Sequence, residues 1–337
     1  MSKTPSPTRP RLPQWLRAQP PSGEALQIFN RTRGAVDGGE LHTVCEEARC
    51  PNIHDCWARG TATFMVAGQE CTRGCRFCSV KTLKAPPPLE ADEPERLADA
   101  VERMKLDYVV ITVVDRDDLP DGAAMHYRAC IDAVHRRLPT CGVELLGSDL
   151  RGDLDTLSRM LDGAPLSVFA HNVECVPRLD KLVRDPRASF DQSLAVLSHS
   201  RKVRPDLPTK SSLMVGLGET DEEVVDAMQR LRSVDVELLT LGQYIAPGRP
   251  GERYLPVDRY VHPEVFNEWA DAAYGMGFKA VAAGPMVRSS FRAGLLLEAA
   301  RSGVRVDANL TESAPVHTEP RIDVSVESLT ANFPSRR

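Results

Sequence analysis

Six of the nine cysteines in this chain fall between positions 45 and 78, in two triplets that have different spacings. The two triplets are Cys45-x4-Cys50-x5-Cys56 and Cys71-x3-Cys75-x2-Cys78. Each triplet supplies three thiolates, one fewer than a closed tetrahedral zinc site or an all-cysteine [4Fe–4S] cluster requires. The pattern therefore leaves one position at each metal centre open for a different ligand.

Disulfides and structural zinc are the alternative uses of these cysteines. The odd cysteine count and the lack of an apolar secretory run at the N-terminus argue against disulfides and for a reducing compartment. A structural zinc site remains an alternative, because Cys75 and Cys78 have the spacing of a zinc knuckle. His42 and His54 are close enough in sequence to complete such a site. Neither triplet pairs with a second Cys-x2-Cys or a His-x3-His, so zinc is the weaker interpretation. The scattered Cys130, Cys141 and Cys175 are predicted to be buried small hydrophobic residues.

Composition excludes several classes of protein. With 337 residues, of which 42% are hydrophobic, the chain can bury a large core. A net charge of −5 and the lack of a long apolar run predict a soluble cytoplasmic protein that binds neither nucleic acid nor membrane. Arg73, Arg76, Lys81 and Lys84 form a local basic segment, which could face an acidic partner or an anionic cofactor. From charge alone, a solvated loop face is an equally good interpretation.

Strand and helix patterns alternate along the middle of the chain. The predicted strands are Ala62–Ala67, Tyr108–Val114, Val143–Leu146, Leu166–Ala170, Ser211–Val215, Leu238–Tyr244 and Ala280–Ala283. The predicted helices are Glu93–Met104, Met125–Leu138, Leu154–Leu161, Phe190–His199 and Asp221–Val234. Such repetition with right-handed crossovers predicts a parallel sheet covered by helices.

Two observations favour a barrel over an open sheet. No Gly-x-Gly-x-x-Gly opens the first helix, as a Rossmann fold would usually show. Polar residues also collect directly after the predicted strands, where barrel enzymes carry their active sites. These residues are the Cys71 loop, Asp115-Arg116-Asp117-Asp118, His171-Asn172, Glu174, and Gly216-Leu217-Gly218-Glu219-Thr220.

Several motifs in a fixed order give the chain a family resemblance. The loop Cys71-Thr-Arg-Gly-Cys75-Arg-Phe77-Cys78 is similar to the cluster loop of radical S-adenosylmethionine (SAM) enzymes. From Trp15 to about Gly294, the chain closely resembles the lipoyl synthase family within that superfamily. The other motifs are His42-Thr43-Val44-Cys45-Glu46-Glu47-Ala48-Arg49-Cys50-Pro51-Asn52, Gly60-Thr61-Ala62-Thr63-Phe64-Met65, Asp115 to Gly122, His171-Asn172-Val173-Glu174, Leu213 to Thr220, Gly242-Gln243-Tyr244 and Arg288-Ser289-Ser290-Phe291. The upstream x4/x5 triplet makes the resemblance far more specific than the Cys71 loop alone.

The resemblance implies an α/β fold, a partial (β/α)6 TIM-type barrel of the radical SAM kind. It also implies two [4Fe–4S] clusters. Cys71, Cys75 and Cys78 would hold the cluster that binds SAM, and Cys45, Cys50, Cys56 and Ser290 would hold the auxiliary cluster. The predicted segments are an N-terminal arm (1–40), an auxiliary-cluster segment (41–60), the barrel (61–284), a C-terminal segment with the serine motif (285–304) and a disordered tail (305–337).

The implied activity is the insertion of two sulfur atoms at C6 and C8 of a protein-bound octanoyl group. A radical derived from SAM would abstract hydrogen from each carbon, and the auxiliary cluster would supply the sulfur. The implied partners are octanoylated lipoyl-carrier domains (2-oxoacid dehydrogenase subunits and the glycine cleavage H protein), an electron donor and an iron–sulfur carrier. The alternatives are another sulfur-inserting radical SAM enzyme, such as a biotin synthase or methylthiotransferase, and a zinc-bound binding module.

SAM contacts are predicted by analogy with other barrels of the superfamily. Asp115 and Asp117 after the second strand, and Asn172 and Glu174 after the fourth, would face SAM. The alternative is that the two aspartates cap the next helix or pair with Arg116.

Three further positions carry open alternatives. Gly216 and Gly218 would let the backbone approach the cofactor, or would form a tight turn. Arg288 would pair with a carboxylate near the auxiliary cluster, or would lie on the surface.

The sequence departs from the family pattern at two places. Phe291 stands where the family usually has Tyr, which removes a hydroxyl group beside Ser290. The loop after the third strand reads Gly147-Ser148-Asp149-Leu150, where the family more often has Pro-Asp-Phe.

Overall fold

The computed structural model describes residues 12–17, 20–37, 42–47, 50, 52–58, 63–248 and 252–305. Except for Arg305, the predicted C-terminal tail lies outside the described residues. Among the helices that the structure describes, none has the length and apolar character needed to cross a membrane.

The fold is built on one eight-stranded sheet, in which a run of seven parallel strands carries an antiparallel strand at one edge. In chain order, the strands are β1 (His42–Thr43), β2 (Thr63–Val66), β3 (Glu70–Cys71), β4 (Lys81–Thr82), β5 (Tyr108–Val113), β6 (Gly142–Leu146), β7 (Val168–Ala170), β8 (Thr209–Val215), β9 (Leu238–Gln243) and β10 (Ala280–Gly284). The order in the sheet is β1-β2-β5-β6-β7-β8-β9-β10, while β3 and β4 form a separate two-stranded ribbon. Consecutive parallel strands lie side by side, which is the arrangement of a barrel wall.

Helices precede, connect and follow the parallel strands. They are α1 (Gly23–Asp37), α2 (Val44–Glu47), α3 (Ile53–Ala58), α4 (Glu93–Met104), α5 (Ala124–Arg137), α6 (Leu154–Leu161), α7 (Asp180–Val183), α8 (Phe190–Val203), α9 (Asp221–Ser233), α10 (Pro263–Gly275) and α11 (Ala293–Ser302). Short 3-10 turns cover Gln14–Leu16, Leu150–Gly152 and Pro177–Leu179. The prediction of a partial TIM-type α/β barrel is confirmed.

Local sequence signals explain where these helices begin. The Thr220 side chain accepts a hydrogen bond from the Glu223 backbone, and the Glu223 side chain accepts one from the Thr220 backbone, which is a capping box for α9. Asp153 and Ser189 cap α6 and α8 in the same way, through a side-chain oxygen that accepts a backbone N–H. These caps satisfy backbone donors that would otherwise have no partner.

The segment that was predicted as an N-terminal arm contains a packed helix. Helix α1 buries Val36, and the Thr32 hydroxyl donates to the Trp57 carbonyl at 2.9 Å. The Phe29 ring lies 5.5 Å from the Trp57 ring, centroid to centroid. Helix α1 therefore supports α3, which carries one cysteine of the first triplet, and the sequence analysis did not predict it.

Close packing brings the C-terminal segment onto the barrel. A Cβ atom on Gly242 of β9 would lie 2.1 Å from the Val287 carbonyl oxygen, a distance that only glycine permits. On the far side of that segment, Gly294 of α11 leaves room for the Tyr108 ring, which a Cβ would approach to 3.2 Å. Glycine in the Gly242-Gln243-Tyr244 motif therefore lets residues 287–291 lie against the strand ends.

Candidate active site

Both cysteine triplets open into one cavity of about 650 Å³. Its wall includes Val113, Leu146 and Gln243, the last residues of three parallel strands, so the cavity lies at the carboxyl ends of the strands. The predicted site residues that line it are Cys45, Cys50, Cys56, Cys71, Cys75, Cys78, Asp115, Asn172, Glu174 and Ser290. The fold thus brings together residues that are widely separated in the sequence.

The second triplet sits on a tight loop that begins on β3. The backbone N–H of Cys78 donates to the Cys75 carbonyl at 3.3 Å, which closes the turn. Backbone N–H groups also point at two of the sulfur atoms: Arg73 donates to Cys71 Sγ at 3.4 Å, and Asp185 donates to Cys75 Sγ at 3.3 Å. Hydrogen bonds of this kind favour the thiolate form that binds metals.

Burial opposes ionisation of the same thiols in the free protein. It raises the pKa of Cys71 and Cys75 to about 12, and it also raises the pKa of Cys78. A bound cation reverses this preference, because a coordinating thiol is deprotonated outright. Three converging, sheltered thiols with backbone donors to sulfur are a donor set suited to a soft metal centre such as an iron–sulfur cluster.

The first triplet is held by two short helices. Cys45 lies in α2 and Cys56 in α3, and the Cys50 N–H donates to the Cys45 carbonyl at 2.9 Å. The Cys56 N–H donates to the Asn52 carbonyl at 2.9 Å, while the Asn52 side-chain amide donates to the Met286 carbonyl. Burial, and then the neighbouring Cys50, raise the pKa of Cys45 to about 11. Asn52 therefore links this triplet to the C-terminal segment.

Ser290 lies beside the first triplet, on the C-terminal segment. The Thr63 hydroxyl donates to Ser290 Oγ at 2.9 Å. The next residue, Phe291, also lines the cavity, and the Arg292 guanidinium lies 5.1 Å from the centre of its ring. The set of three thiols and one hydroxyl fits a cluster that has one weak oxygen ligand.

Arg288 takes neither of its two predicted roles. It lines the cavity rather than the surface, and its Nη1 donates to the Val287 carbonyl at 2.6 Å and the Pro285 carbonyl at 3.4 Å. Within the described part of the chain, no ion pair with a carboxylate is seen for this guanidinium. Burial lowers the Arg288 pKa, and the nearby Cys50 opposes that shift. A positive charge thus faces a cysteine of the first triplet.

Arg73 is buried in the interior, which excludes the solvated-face interpretation for this residue. Its guanidinium donates to Asp117 at 3.0 and 2.9 Å and to Asp149 at 2.7 and 2.6 Å. Asp117 is therefore turned toward Arg73 and does not line the cavity, contrary to the predicted SAM contact.

The alternative prediction, that Asp115 and Asp117 pair with Arg116, is also wrong. Arg116 pairs with Asp118 at 2.8 Å. Of the two predicted aspartates, only Asp115 faces the cavity.

Asp115 lies between the second triplet and the loop after β6. Cys71 Sγ is 3.9 Å from one carboxylate oxygen of Asp115, and the Ser148 hydroxyl donates to the other. Burial raises the pKa of Asp115, although the charge of Arg73 opposes the shift. Ser148, at one of the departures from the family pattern, thus positions a cavity carboxylate.

Asn172 presents an unpartnered oxygen beside Glu174 in the cavity wall. The Asn172 amide donates to Glu174 at 3.1 Å, while its own Oδ1 atom is buried and has no hydrogen-bond partner within the described structure. Glu174 has φ of 68°, a left-handed conformation that is uncommon for residues other than glycine. Burial raises the pKa of Glu174. An orphaned acceptor beside a sheltered carboxylate fits a ligand that carries an ammonium group.

Gly216 and Gly218 lie outside the cavity wall and form a tight turn, the alternative that the sequence left open. Gly216 has φ of 94° and donates its N–H to Glu219 at 2.6 Å. A Cβ on Gly216 would approach Gln243 Nε2 to 2.1 Å. The turn packs against Gln243, whose side-chain oxygen accepts the Val261 N–H at 2.8 Å.

Sequence reasoning missed Arg253. Its Nη2 donates to the Cys78 carbonyl at 2.7 Å and the Val80 carbonyl at 2.9 Å, which ties the loop after β9 to the second triplet. No signal near Arg253 in the sequence indicates this contact, because its partners are backbone atoms more than 170 positions away.

Family models match two parts of the chain. Residues 65–231 match the radical SAM superfamily, and residues 2–50 match the N-terminal domain of lipoyl synthase of the radical SAM family. Among solved structures, methylornithine synthase superposes with a TM-score of 0.50 and covers 92% of this chain and 95% of its own. At 11% identity, that similarity shows the fold alone.

Curated relatives are similar over most of their length. The chain is 52% identical over 285 residues to a lipoyl synthase of Anaeromyxobacter sp. (strain Fw109-5), covering 84% of this chain and 94% of that protein. It is 51% identical over 292 residues to the mitochondrial lipoyl synthase of Bos taurus, covering 85% and 76%. It is 50% identical over 289 residues to the chloroplastic lipoyl synthase of Arabidopsis thaliana, covering 84% and 72%.

Proposed function

Because the chain belongs to the lipoyl synthase family of radical SAM enzymes, we propose that its cavity holds two [4Fe–4S] clusters and SAM and converts a protein-bound octanoyl group to a lipoyl group. The chain is an enzyme, and its chemistry is sulfur insertion. The binding-module alternative is therefore wrong. The observation that carries the proposal is the convergence of both triplets and Ser290 on one cavity.

The second triplet is the proposed site of the SAM-binding cluster. Cys71, Cys75 and Cys78 would supply three thiolate ligands, and SAM would complete the fourth position. When bound there, the cluster and SAM supply a hydrogen-abstracting radical, which is chemistry that no side chain of this chain can perform. Glu174 and the unpartnered Asn172 oxygen are the proposed acceptors for the SAM ammonium group.

The first triplet and Ser290 are the proposed site of the auxiliary cluster, which we treat as the sulfur substrate. Cys45, Cys50 and Cys56 would hold three iron atoms through soft thiolates, whereas Ser290 would bind the fourth through a hard oxygen. The oxygen ligand is the one that should dissociate first. Release at a single iron would expose sulfide ions while the three thiolates still hold the rest of the cluster.

The cavity wall suits an alkyl substrate. Met65, Val113, Leu146, Leu213 and Met214 line it and exclude water from the reacting carbons. The aliphatic C–H bonds at C6 and C8 have no acidic hydrogen, so no general base is needed in this wall. The side chains bind and orient the chain, and the thiolate-held centres supply the reactivity.

The overall conversion balances in atoms and electrons. Two C–H bonds of the octanoyl group break, and two C–S bonds form with two sulfide ions of the auxiliary cluster. As each C–S bond forms, one electron would pass to a ferric ion of that cluster, and the two product thiolates would take up protons on release. Each hydrogen atom leaves on 5′-deoxyadenosine and each SAM also gives methionine, so two SAM molecules are consumed. An external electron donor supplies one electron for the cleavage of each SAM.

The partners follow from this chemistry. The substrate is an octanoyl group on a protein, and we propose the lipoyl-carrier domains of 2-oxoacid dehydrogenases and the glycine cleavage H protein as the carriers. An iron–sulfur carrier would rebuild the auxiliary cluster. Because relatives include mitochondrial and chloroplastic enzymes, the cytoplasmic location remains a prediction.

Mass spectrometry of a defined substrate tests the proposed function. Anaerobically reconstituted protein is incubated with an octanoyl-lysine peptide, SAM and a strong reductant. The expected product has gained two sulfur atoms, as a dithiol under the reductant and as a disulfide with two fewer hydrogen atoms after oxidation, and a singly thiolated peptide should accumulate when SAM is limiting. Formation of 5′-deoxyadenosine without sulfur in the peptide would point to a different substrate, and zinc in place of iron would contradict the proposal.

A further inference from the structure

Thr63 contacts Ser290, one of the four proposed ligands of the auxiliary cluster. It is the first residue of β2, is 5% exposed and lines the cavity. Its hydroxyl donates to Ser290 Oγ at 2.9 Å. Strand β1, which pairs with β2, leads directly into α2 and Cys45, so Thr63 lies where the serine segment meets the first cysteine triplet.

The sheet holds Thr63 in place. Strand β2 pairs with β5 in a parallel register that sets Thr63 opposite Val110, and β1 pairs with β2 on the other side. Ser290, by contrast, lies in the short stretch between β10 and α11, outside the regular elements. In the hydrogen bond between Thr63 and Ser290, the strand therefore fixes the threonine, and the threonine positions the serine.

We propose that Thr63 is a positioning residue for Ser290, and that its hydroxyl stabilises the deprotonated serine oxygen as a metal ligand. This inference rests on the proposed function, in which Ser290 binds the auxiliary cluster. A metal-bound serine oxygen carries no proton, so in that state Thr63 must be the donor. Hydrogen bonds to an ionised acceptor are shorter and about twice as strong as neutral ones. Thr63 therefore holds the serine oxygen in place as a ligand and slows its release from iron.

The Thr63→Val substitution tests this role, because valine keeps the branched shape and removes the donor. A Cys71/Cys75/Cys78→Ala background leaves the first triplet as the proposed iron site. In that background, Thr63→Val should release the first iron to a chelator about tenfold faster. Thr63→Ser keeps the hydroxyl and should restore the slower release.

A matched control is available in a distant strand of the same sheet. Thr240 of β9 has a buried hydroxyl with no hydrogen-bond partner in the described structure, and it does not line the cavity. Thr240→Val should therefore leave iron release unchanged. Thermal unfolding of every variant establishes that differences in iron release come from folded protein.

A double-mutant cycle separates this inference from the function on which it rests. If Thr63 acts through Ser290, the effect of Thr63→Val should vanish in a Ser290→Ala background. An undiminished effect there, or unchanged iron release in Thr63→Val alone, would overturn the role of Thr63. If Thr63→Val does not fold, Thr63→Ala replaces it in the cycle. If Ser290→Ala alone leaves iron release unchanged, serine ligation itself is wrong.

Discussion

Arg73 and Asp149 form a two-point ion pair that joins the second cysteine triplet to the loop after β6. Two guanidinium nitrogens of Arg73 lie 2.7 and 2.6 Å from the two carboxylate oxygens of Asp149. Both side chains are almost fully buried, with 3% and 0% of their surfaces exposed. Burial alone would raise the pKa of Asp149, but its hydrogen bonds with Arg73 outweigh that effect and lower the pKa to about 2. The charged pair is therefore a structural support of the Cys71 loop.

Removing one partner of this pair should be costly. Asp149→Asn leaves Arg73 buried with Asp117 as its main partner, and we expect a loss of roughly 2–3 kcal/mol in the free energy of unfolding. Urea denaturation of the apoprotein measures it. The control is Asp191→Asn, which breaks an exposed pair with Arg230 and should cost less than about 1 kcal/mol. Equal losses in the two variants would contradict the assigned role.

The stability of the protein should fall in weak acid because of His171. Its Nδ1 faces the Gly147 carbonyl at 2.8 Å, and its Nε2 faces the Ser193 hydroxyl at 2.9 Å. Burial lowers the pKa of His171 to about 4, although the nearby Asp149 opposes the shift. In the unfolded chain the pKa of this histidine is near 6.5, so on acidification the unfolded chain binds a proton before the folded protein does. The stability that neutral His171 contributes is complete above pH 6.5. As the pH falls toward 4, the free energy of unfolding decreases by up to about 3 kcal/mol.

His171→Gln should flatten that pH dependence. The measurement is the free energy of unfolding from urea titrations at several pH values between 4 and 6.5, compared between variant and wild type. His135→Gln, at an exposed position of α5, should keep the wild-type slope. If the slope of His171→Gln equals that of wild type, the buried histidine is not the source.

The contact between Gly242 and Val287 predicts a selective defect. In Gly242→Ala, the new methyl group must displace the Val287 carbonyl, at a cost of about 1–3 kcal/mol. Because Ser290 follows on the same segment, sulfur insertion should fall at least tenfold while SAM cleavage persists. Gly34→Ala in α1 meets no atom within 4 Å and should leave both activities unchanged. Parallel losses of SAM cleavage and sulfur insertion in Gly242→Ala would show a general folding defect instead.

Arg253 should secure the second triplet without adding much global stability. Its side chain is exposed, so Arg253→Met should change the free energy of unfolding by less than about 1 kcal/mol. The hydrogen bonds to the Cys78 and Val80 carbonyls would be lost, and chelators should remove iron from the second triplet about tenfold faster. Arg201→Met removes bonds to the Pro205 and Leu207 carbonyls elsewhere and serves as the control. Identical iron release in the two variants would remove Arg253 from the site.

Much of the barrel could be predicted because its local signals are strong. Helices Glu93–Met104 and Leu154–Leu161 were predicted with the bounds that the structure shows, and the parallel strands appear within a few residues of their predicted ends. Helix α1 was missed, because Thr32 and Val36 are the positions it is seen to bury and its sequence carries little apolar periodicity. Helices of this kind are stabilised by tertiary contacts.

In the candidate site, the metal ligands could be predicted from the sequence, but the contacts that position them could not. Cysteine spacing indicated the two metal centres, because ligands of one centre are close in sequence. Contacts that depend on the folded chain could not be predicted in this way. Thr63 and Ser290 are 227 positions apart, and Asp117 turns toward Arg73 only because the loops after β3 and β5 meet. Local sequence patterns do not indicate which distant segments will contact one another in the folded chain.

In the proposed function, two independent centres share one cavity and perform different steps. The most direct test compares two triple variants after anaerobic reconstitution, with 5′-deoxyadenosine and sulfur in an octanoyl-lysine peptide measured in the same reaction. Replacing Cys45, Cys50 and Cys56 with Ala should preserve SAM cleavage and abolish sulfur insertion, whereas replacing Cys71, Cys75 and Cys78 should abolish both while iron remains bound at the first triplet. Sulfur insertion by the Cys45/Cys50/Cys56→Ala variant, or SAM cleavage by the other variant, would contradict this account.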